Sequence, residues 1–304
     1  ASTTAERIRG IWKDVLLTDN VFADDDHFYL VGGDSFRLLK LINKLNREFN
    51  SAFSLSEIMP NLTIQMQATM IDLLSSSTRS ALVRISAPKD LTGQLILLHP
   101  LIGGVQMPYR NLIIQLATSY EILGYEHPST FRDAQVPWAK SIEELIRFYV
   151  EILGAKVGEG GTRRVFVGAS MGALLAFEMA SQLDIDTQLI VVDGTSNRRK
   201  TTTSITWDQH RVQMSDILRK YEVEDETLVN HMIEHSWNLY GLSSEYTPKR
   251  NQRITVHVFS CCGTDLGWAD IATVKSVHRL TGDHSEILNS PNSQLIADFV
   301  RTIL

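Results

Sequence analysis

Cysteine is almost missing from this 304-residue chain: only Cys261 and Cys262 occur, side by side. Neighbours cannot close an ordinary structural disulfide, and two thiols without a surrounding His/Cys cluster make no zinc site. The pair therefore reads as buried or incidental thiols of a reducing cytosol, no metal is expected, and the expected location is cytoplasmic. Long hydrophobic runs are missing too, since no stretch approaches the roughly 20 apolar residues of a membrane span. The start, Ala1-Ser2-Thr3-Thr4, has neither a basic n-region nor an apolar stretch, so no signal peptide is read there. Basic charge is not in excess; the net charge of −6 gives no reason to expect nucleic acid or an anionic membrane as partner. An initiator Met is lacking and a helix pattern begins almost at once, which suggests a piece cut from a longer polypeptide. No internal repeat stands out.

What is present is an ordinary globular composition, 43% hydrophobic and 21% charged, in a chain longer than one domain usually needs. Ile8, Ile11, Trp12, Val15 and Leu16 repeat at helical spacing and give one apolar face. A loop with the acidic run Asp24-Asp25-Asp26 ends in Gly32-Gly33. A second helix pattern then places Leu38, Leu39, Ile42, Leu45 and Phe49 on one side, and a third spans Ile64 to Leu74 with Thr63 as its N-cap. This predicts a small all-α helical bundle over residues 1–75, followed by a linker over 76–80, with Ser75-Ser76-Ser77-Thr78 as its flexible part.

Residues 81–304 alternate. Strand-like runs at Leu95–Leu98, Glu121–Leu123, Val165–Val167, Leu189–Val192, Ile254–Phe259 and Ser276–Leu280 are interleaved with helix patterns at Ile142–Leu153, Met171–Leu183 and Gln294–Leu304. Alternation of this kind argues for a mostly parallel sheet covered by helices on both faces. Between about 195 and 250 the alternation stops. Two helix patterns there, Trp207–Tyr221 and Glu226–Tyr240, predict a helical cap or lid over the sheet's C-terminal edge.

Gly168-Ala169-Ser170-Met171-Gly172 lies between the Val165–Val167 run and a helix pattern. Strand, G-x-S-x-G, helix is the setting of a nucleophile elbow: the glycines allow a tight turn that pushes Ser170 out at a helix N-terminus. A serine nucleophile needs a base, and the base an orienting carboxylate, here in the order Ser, Asp, His. His284, just after the last strand pattern, suits the base; His278 falls within that strand, and His210, His231 and His235 fall in the cap. For the acid, Asp193 at the end of the Leu189–Val192 run is preferred over Asp265 and Asp270 after the next strand. Asp283 is set aside because sequence neighbours point apart. The oxyanion hole is expected from the N–H of Met171 and that of Leu101, with Ile102 the near alternative, in the loop His99-Pro100-Leu101-Ile102-Gly103-Gly104. Trp207, Trp237 and Tyr240 are candidates to line a pocket under the cap, although aromatics at helical spacing commonly serve packing alone.

Ser35, in Val31-Gly32-Gly33-Asp34-Ser35, has no local base. It sits as an exposed hydroxyl on a rigid mount suited to modification, but physics alone favours a plain N-cap serine of the second helix. Val31-Gly32-Gly33-Asp34-Ser35-Phe36-Arg37-Leu38-Leu39, with Phe28 and the later Ser54-Leu55-Ser56-Glu57-Ile58-Met59-Pro60-Asn61-Leu62-Thr63-Ile64, resembles the peptidyl carrier domain of nonribosomal peptide synthetases. That resemblance implies 4′-phosphopantetheine on Ser35, attached by a phosphopantetheinyl transferase and holding an acyl or peptidyl chain as a thioester. Arg37, Lys40, Lys44 and Arg47 fit a peptide-type carrier better than the acidic carriers of fatty-acid systems. Leu98-His99-Pro100 with Gly103-Gly104, the Ser170 motif, Val192-Asp193-Gly194 and Gly282-Asp283-His284 resemble the type I thioesterases that close such assembly lines. The implied fold is an α/β-hydrolase. The implied function is that of a terminal module: transfer of the chain to Ser170, then release by hydrolysis or macrocyclisation, with upstream condensation and adenylation domains as partners. Phe177–Leu183 is also similar to the thioesterase of animal fatty-acid synthase, which leaves a polyketide or fatty-acid line as an alternative. A proofreading hydrolase and a non-catalytic docking module are the other rivals.

Overall fold

The computed structural model describes residues 3–49, 53, 58–59, 61–76, 81–88, 93–127, 139–153, 163–197, 205–220 and 226–304. They form two compact units that divide between Ser80 and Ala81. Residues 77–80 of the expected linker, and residues 54–57 and 60 of the carrier-like motif, lie outside the described residues.

In the first unit, a capping box between Thr3 and Glu6 starts the helix Thr4–Leu16, whose buried residues are Ile8, Ile11, Trp12, Val15 and Leu16, as the periodicity predicts. The helix Ser35–Glu48 is capped by Asp34, whose carboxylate accepts the Arg37 N–H at 2.7 Å. Ser35 is therefore the first helical residue and the capping duty belongs to its neighbour. The buried face of this helix is Leu38, Leu41, Ile42 and Leu45, while Leu39 is 40% exposed. The expected set is thus corrected at one position: Leu41, not Leu39, is on the buried face of the helix. The helix Ile64–Ser76 begins where Thr63 accepts the Met66 N–H at 3.1 Å, and it runs through Ser75 and Ser76, both assigned above to a flexible linker. Trp12 lies at the centre, fully buried, with its indole N–H donating to Gln67 at 3.0 Å.

The second unit is an α/β-hydrolase built on seven strands: β1 (Leu82–Ser86), β2 (Gln94–Leu98), β3 (Glu121–Tyr125), β4 (Arg164–Ala169), β5 (Thr187–Val192), β6 (Ile254–Ser260) and β7 (Thr273–Arg279). Their order is β1-β3-β2-β4-β5-β6-β7; β1 is antiparallel to β3 and every other pair is parallel. The central strands are buried on both faces, which is why they read as unbroken apolar runs. Alternate residues of one strand feed two cores: Ile96 and Leu98 join one, Leu95 and Leu97 the other. β1 was not expected, because its burial is partial, and the short helix Arg110–Leu116 was not expected either. The chain between β5 and β6 carries the helices Trp207–Lys220 and Glu226–Glu245 where the cap was expected. The order reverses between β2 and β4, so the crevice at their carboxyl ends is the natural place for a site.

His235, on the helix Glu226–Glu245, is buried, as are His99 and His127; the His127 and His235 rings stack at 3.6 Å, and His99 Nε2 meets the Tyr149 hydroxyl at 2.7 Å. Burial pushes His99 down to about 4, and His127 and His235 are also lowered by burial. Unfolded, these rings take up protons near pH 6.5, while the folded ones do not. The unfolded state thus binds more protons as pH falls from 6.5 toward 4, and stability declines across that window. Each ring adds a slope of up to about 1.4 kcal/mol per pH unit. Urea midpoints measured over this range should fall, and the fall should be shallower in His127→Phe.

Candidate active site

Three backbones crowd together at the carboxyl ends of β2, β4 and β5. A Cβ on Gly168 would meet the Gly172 carbonyl at 2.2 Å, and one on Gly172 would meet the Leu98 carbonyl at 2.5 Å. Only glycine allows this approach. Between them Ser170 is forced to φ 53°, in the left-handed region that costs a residue with a side chain about 1–2 kcal/mol. Its backbone N–H donates to Val192 at 2.8 Å, so the strained turn is held by β5. Two contacts that no sequence pattern signals reinforce it. The buried Tyr109 hydroxyl accepts from the Ala169 N–H at 2.6 Å and donates to the Leu98 carbonyl at 2.9 Å, bridging β4 and β2. The Trp268 indole donates to the Gly194 carbonyl at 2.7 Å.

Asp193, at φ 50°, donates its own N–H to the Phe259 carbonyl at 2.7 Å and so leaves the sheet edge in a fixed direction. Its Oδ1 accepts the Cys261 N–H at 2.9 Å, and its Oδ2 lies 2.7 Å from His284 Nδ1. His284 Nε2 in turn lies 3.0 Å from Ser170 Oγ. With the Nδ1 proton given to Asp193, Nε2 is left free to accept the Ser170 hydroxyl. Burial alone would raise the Asp193 carboxyl, but the bonds from His284 and from the Cys261 N–H outweigh it and hold the group below its ordinary value. The carboxylate is thus ionised at neutral pH.

The three residues expected to act together are therefore adjacent in space. The set-aside acids are occupied elsewhere: Asp265 accepts from the Ala269 N–H at 2.9 Å, and Asp283 accepts from the Ser285 N–H at 2.8 Å. His278 stays within β7, its ring stacked on Phe259 at 4.5 Å. The His284 loop is tied by Asn292, which accepts from the Thr281 N–H at 3.0 Å and donates to the Thr281 carbonyl at 2.8 Å. Met171 is buried directly after Ser170; Leu101 and Ile102 follow β2 and pack against the cap residues Met214, Leu218 and Ile233. In the cap, Trp237 stacks on Tyr240 at 5.5 Å and meets Trp207 edge-on at 5.6 Å, so the three rings join the two cap helices to one another.

Residues 93–304 match the family described as thioesterase domain. The chain belongs to the thioesterase family. Residues 6–71 of this thioesterase match a phosphopantetheine attachment site, which makes 4′-phosphopantetheine its covalent cofactor. The residues around Ser35 fit such a group: a capped helix begins there, its N-terminus favours a phosphodiester, and Phe36 beside it is exposed. Among curated relatives, indigoidine synthase of Streptomyces lavendulae is 25% identical over 203 residues, 64% of this chain and 15% of the relative. The nonribosomal peptide synthetase ataP of Aspergillus terreus is 32% identical over 74 residues, 24% of this chain and 5% of the relative. The thioesterase thus spans a small part of the length of the relatives it matches. Among solved structures, holo-AB3403, a four-domain nonribosomal peptide synthetase bound to AMP and glycine, aligns with a TM-score of 0.64 at 16% identity, over 98% of this chain and 26% of that one, a likeness of fold. The chain thus joins a phosphopantetheine attachment domain to a thioesterase domain.

A Cβ on Gly194 would meet the Ser170 carbonyl at 2.2 Å. Gly194→Ala should displace the turn and slow labelling of the serine by a fluorophosphonate by about a hundredfold, the scale of a 1 Å misplacement. Labelling kinetics followed by intact mass check this.

Proposed function

We propose that Ser170 is the nucleophile, His284 its general base and Asp193 the carboxylate that orients the base, and that the N–H groups of Met171 and Leu101 receive the oxyanion. The observation that carries the reading is the unbroken line Asp193–His284–Ser170, with steps of 2.7 and 3.0 Å. His284 takes the hydroxyl proton as Ser170 attacks the thioester carbonyl; negative charge gathers on the carbonyl oxygen at the start of the helix Gly172–Gln182, and the thiol leaves with the proton that His284 returns. The ester on Ser170 is opened by water, giving an acid, or by a hydroxyl or amine of the same chain, giving a ring. His284 serves as base again in that step. The cap, residues of about 195–250, governs how much water reaches the ester.

Ser35 is the proposed attachment residue. The arm, when bound, supplies the thiol that holds the chain as a thioester. Asp34 and the Gly32-Gly33 turn hold the start of the helix that Ser35 opens, Gly33 because a Cβ there would strike the Phe28 ring at 2.4 Å. The proposed boundaries are 1–75 for the carrier, 76–80 for the linker and 81–304 for the thioesterase. The proposed setting is the end of a cytoplasmic assembly line, supplied by upstream condensation and adenylation domains and loaded by a phosphopantetheinyl transferase.

Ser170→Ala should abolish acyl-ester formation, and Asp193→Asn should lower kcat by about 10⁴ with KM little changed, because the wrong imidazole tautomer is then held. Turnover of a soluble acyl thioester measures both; parental rates in Ser170→Ala would remove the nucleophile assignment. Incubation with coenzyme A and a phosphopantetheinyl transferase should add one arm to the chain and none to Ser35→Ala, read by intact mass.

A further inference from the structure

The two cysteines have no part in the mechanism above, yet both follow β6 at the edge where Asp193 and His284 meet. Cys261 is half-buried. Its backbone N–H donates to Asp193 Oδ1 at 2.9 Å, which places its thiol near the same carboxylate. Burial first, and then the carboxylate, push this thiol up to about 11. Cys262 is exposed, with Sγ 3.0 Å from Thr264 Oγ1 and 3.8 Å from Ser260 Oγ. The bond from Thr264 holds it below the ordinary cysteine value. An accessible, thiolate-prone sulfur is thus one peptide away from the residue whose backbone N–H holds the acid of the triad.

We propose that Cys261–Cys262 is a thiol-modification site at which a low-molecular-weight disulfide switches the thioesterase off. The Cys262 thiolate attacks one sulfur of the reagent RSSR, forming Cys262–S–SR and expelling RS⁻. Cys261 then loses its proton to solvent, its sulfur displaces the second RS⁻ from Cys262, and a Cys261–Cys262 bond closes. RSSR is reduced to two RSH, and the chain has lost two protons and two electrons, that is, two hydrogen atoms. Neighbouring Cα atoms lie about 3.8 Å apart across a trans peptide, short of the roughly 4.4–6.8 Å of ordinary disulfides, so the ring is strained and readily reduced. That lability is useless for a staple and suits a reversible switch. Once the ring is closed, the twisted 261–262 peptide pulls on the residue whose N–H holds Oδ1. The imidazole then loses its fixed orientation.

The inference rests on Asp193 as the triad acid. The full chain with Ser35 unloaded, whose only thiols are these two, is incubated with glutathione disulfide, then followed by intact mass and by hydrolysis of a soluble aryl ester, which releases no thiol. Only turnover abolished by Ser170→Ala is counted; if that variant retains parental turnover, it is the triad reading that has failed. The expected result is loss of two hydrogens, a fall in kcat of about tenfold or more with KM within about twofold, and reversal of both by dithiothreitol. Cys262→Ser should start at parental turnover and keep it under the same treatment. The proposal is overturned by retention of both thiols, by a persisting glutathionyl adduct without ring closure, by ring closure with kcat within about twofold of the parent, or by equal slowing of Cys262→Ser.

Discussion

Everything at the sheet's carboxyl edge follows from how closely three backbones pass one another. Gly168 meets the first turn of the helix Gly172–Gln182, Gly172 meets the end of β2, and Gly194 meets Ser170, each at a distance no side chain would survive. The crowding forces Ser170 into left-handed backbone and lifts its hydroxyl off the sheet. It also brings the loop after β2, source of one proposed oxyanion donor, beside the residue that supplies the other. A looser elbow would lower the strain and lose the geometry.

Around that fixed point, the reacting groups arrive from far apart in the chain. Ser170 and His284 are 114 residues apart, and Asp193 and His284 are 91 apart. Adjacent parallel strands make such separations harmless, because β4, β5 and β6 end at one level and each loop departs from the same edge. Asp193 is held by backbone from β6 on one side and by Cys261 on the other, so its carboxylate has little freedom before His284 is considered. His284 is the opposite case. Its side chain is 57% exposed, and its placement comes from the Asn292 tie and from Asp193.

Much of this was legible in the residues. β2 and β4 could be read because burial on both faces leaves only apolar residues to choose from, and the spacing of Gly168 and Gly172 carries the elbow's geometry directly. β1 escaped notice because an antiparallel edge strand with one half-wet face has too few apolar residues to stand out. Leu41 rather than Leu39 is buried, a shift the pattern misses because helical spacing sets the width of an apolar face better than its centre. Asp193 could be favoured over Asp265 from its place at a strand end, but Tyr109, Trp268 and Asn292 could not be assigned at all. Their partners are backbone groups that become neighbours only when the sheet is assembled.

The side chains of Leu101 and Ile102 belong to the hydrophobic interior of the cap, alongside Met214, Leu218 and Ile233. The piece of chain that would stabilise the reaction's negative charge is thus cemented to the piece that would shape the product. Chimeras that exchange the segment between β5 and β6 to obtain a different ring or acid would leave these two side chains facing a foreign surface. A graft that keeps the chemistry intact has to carry the loop after β2 along with the helices above it.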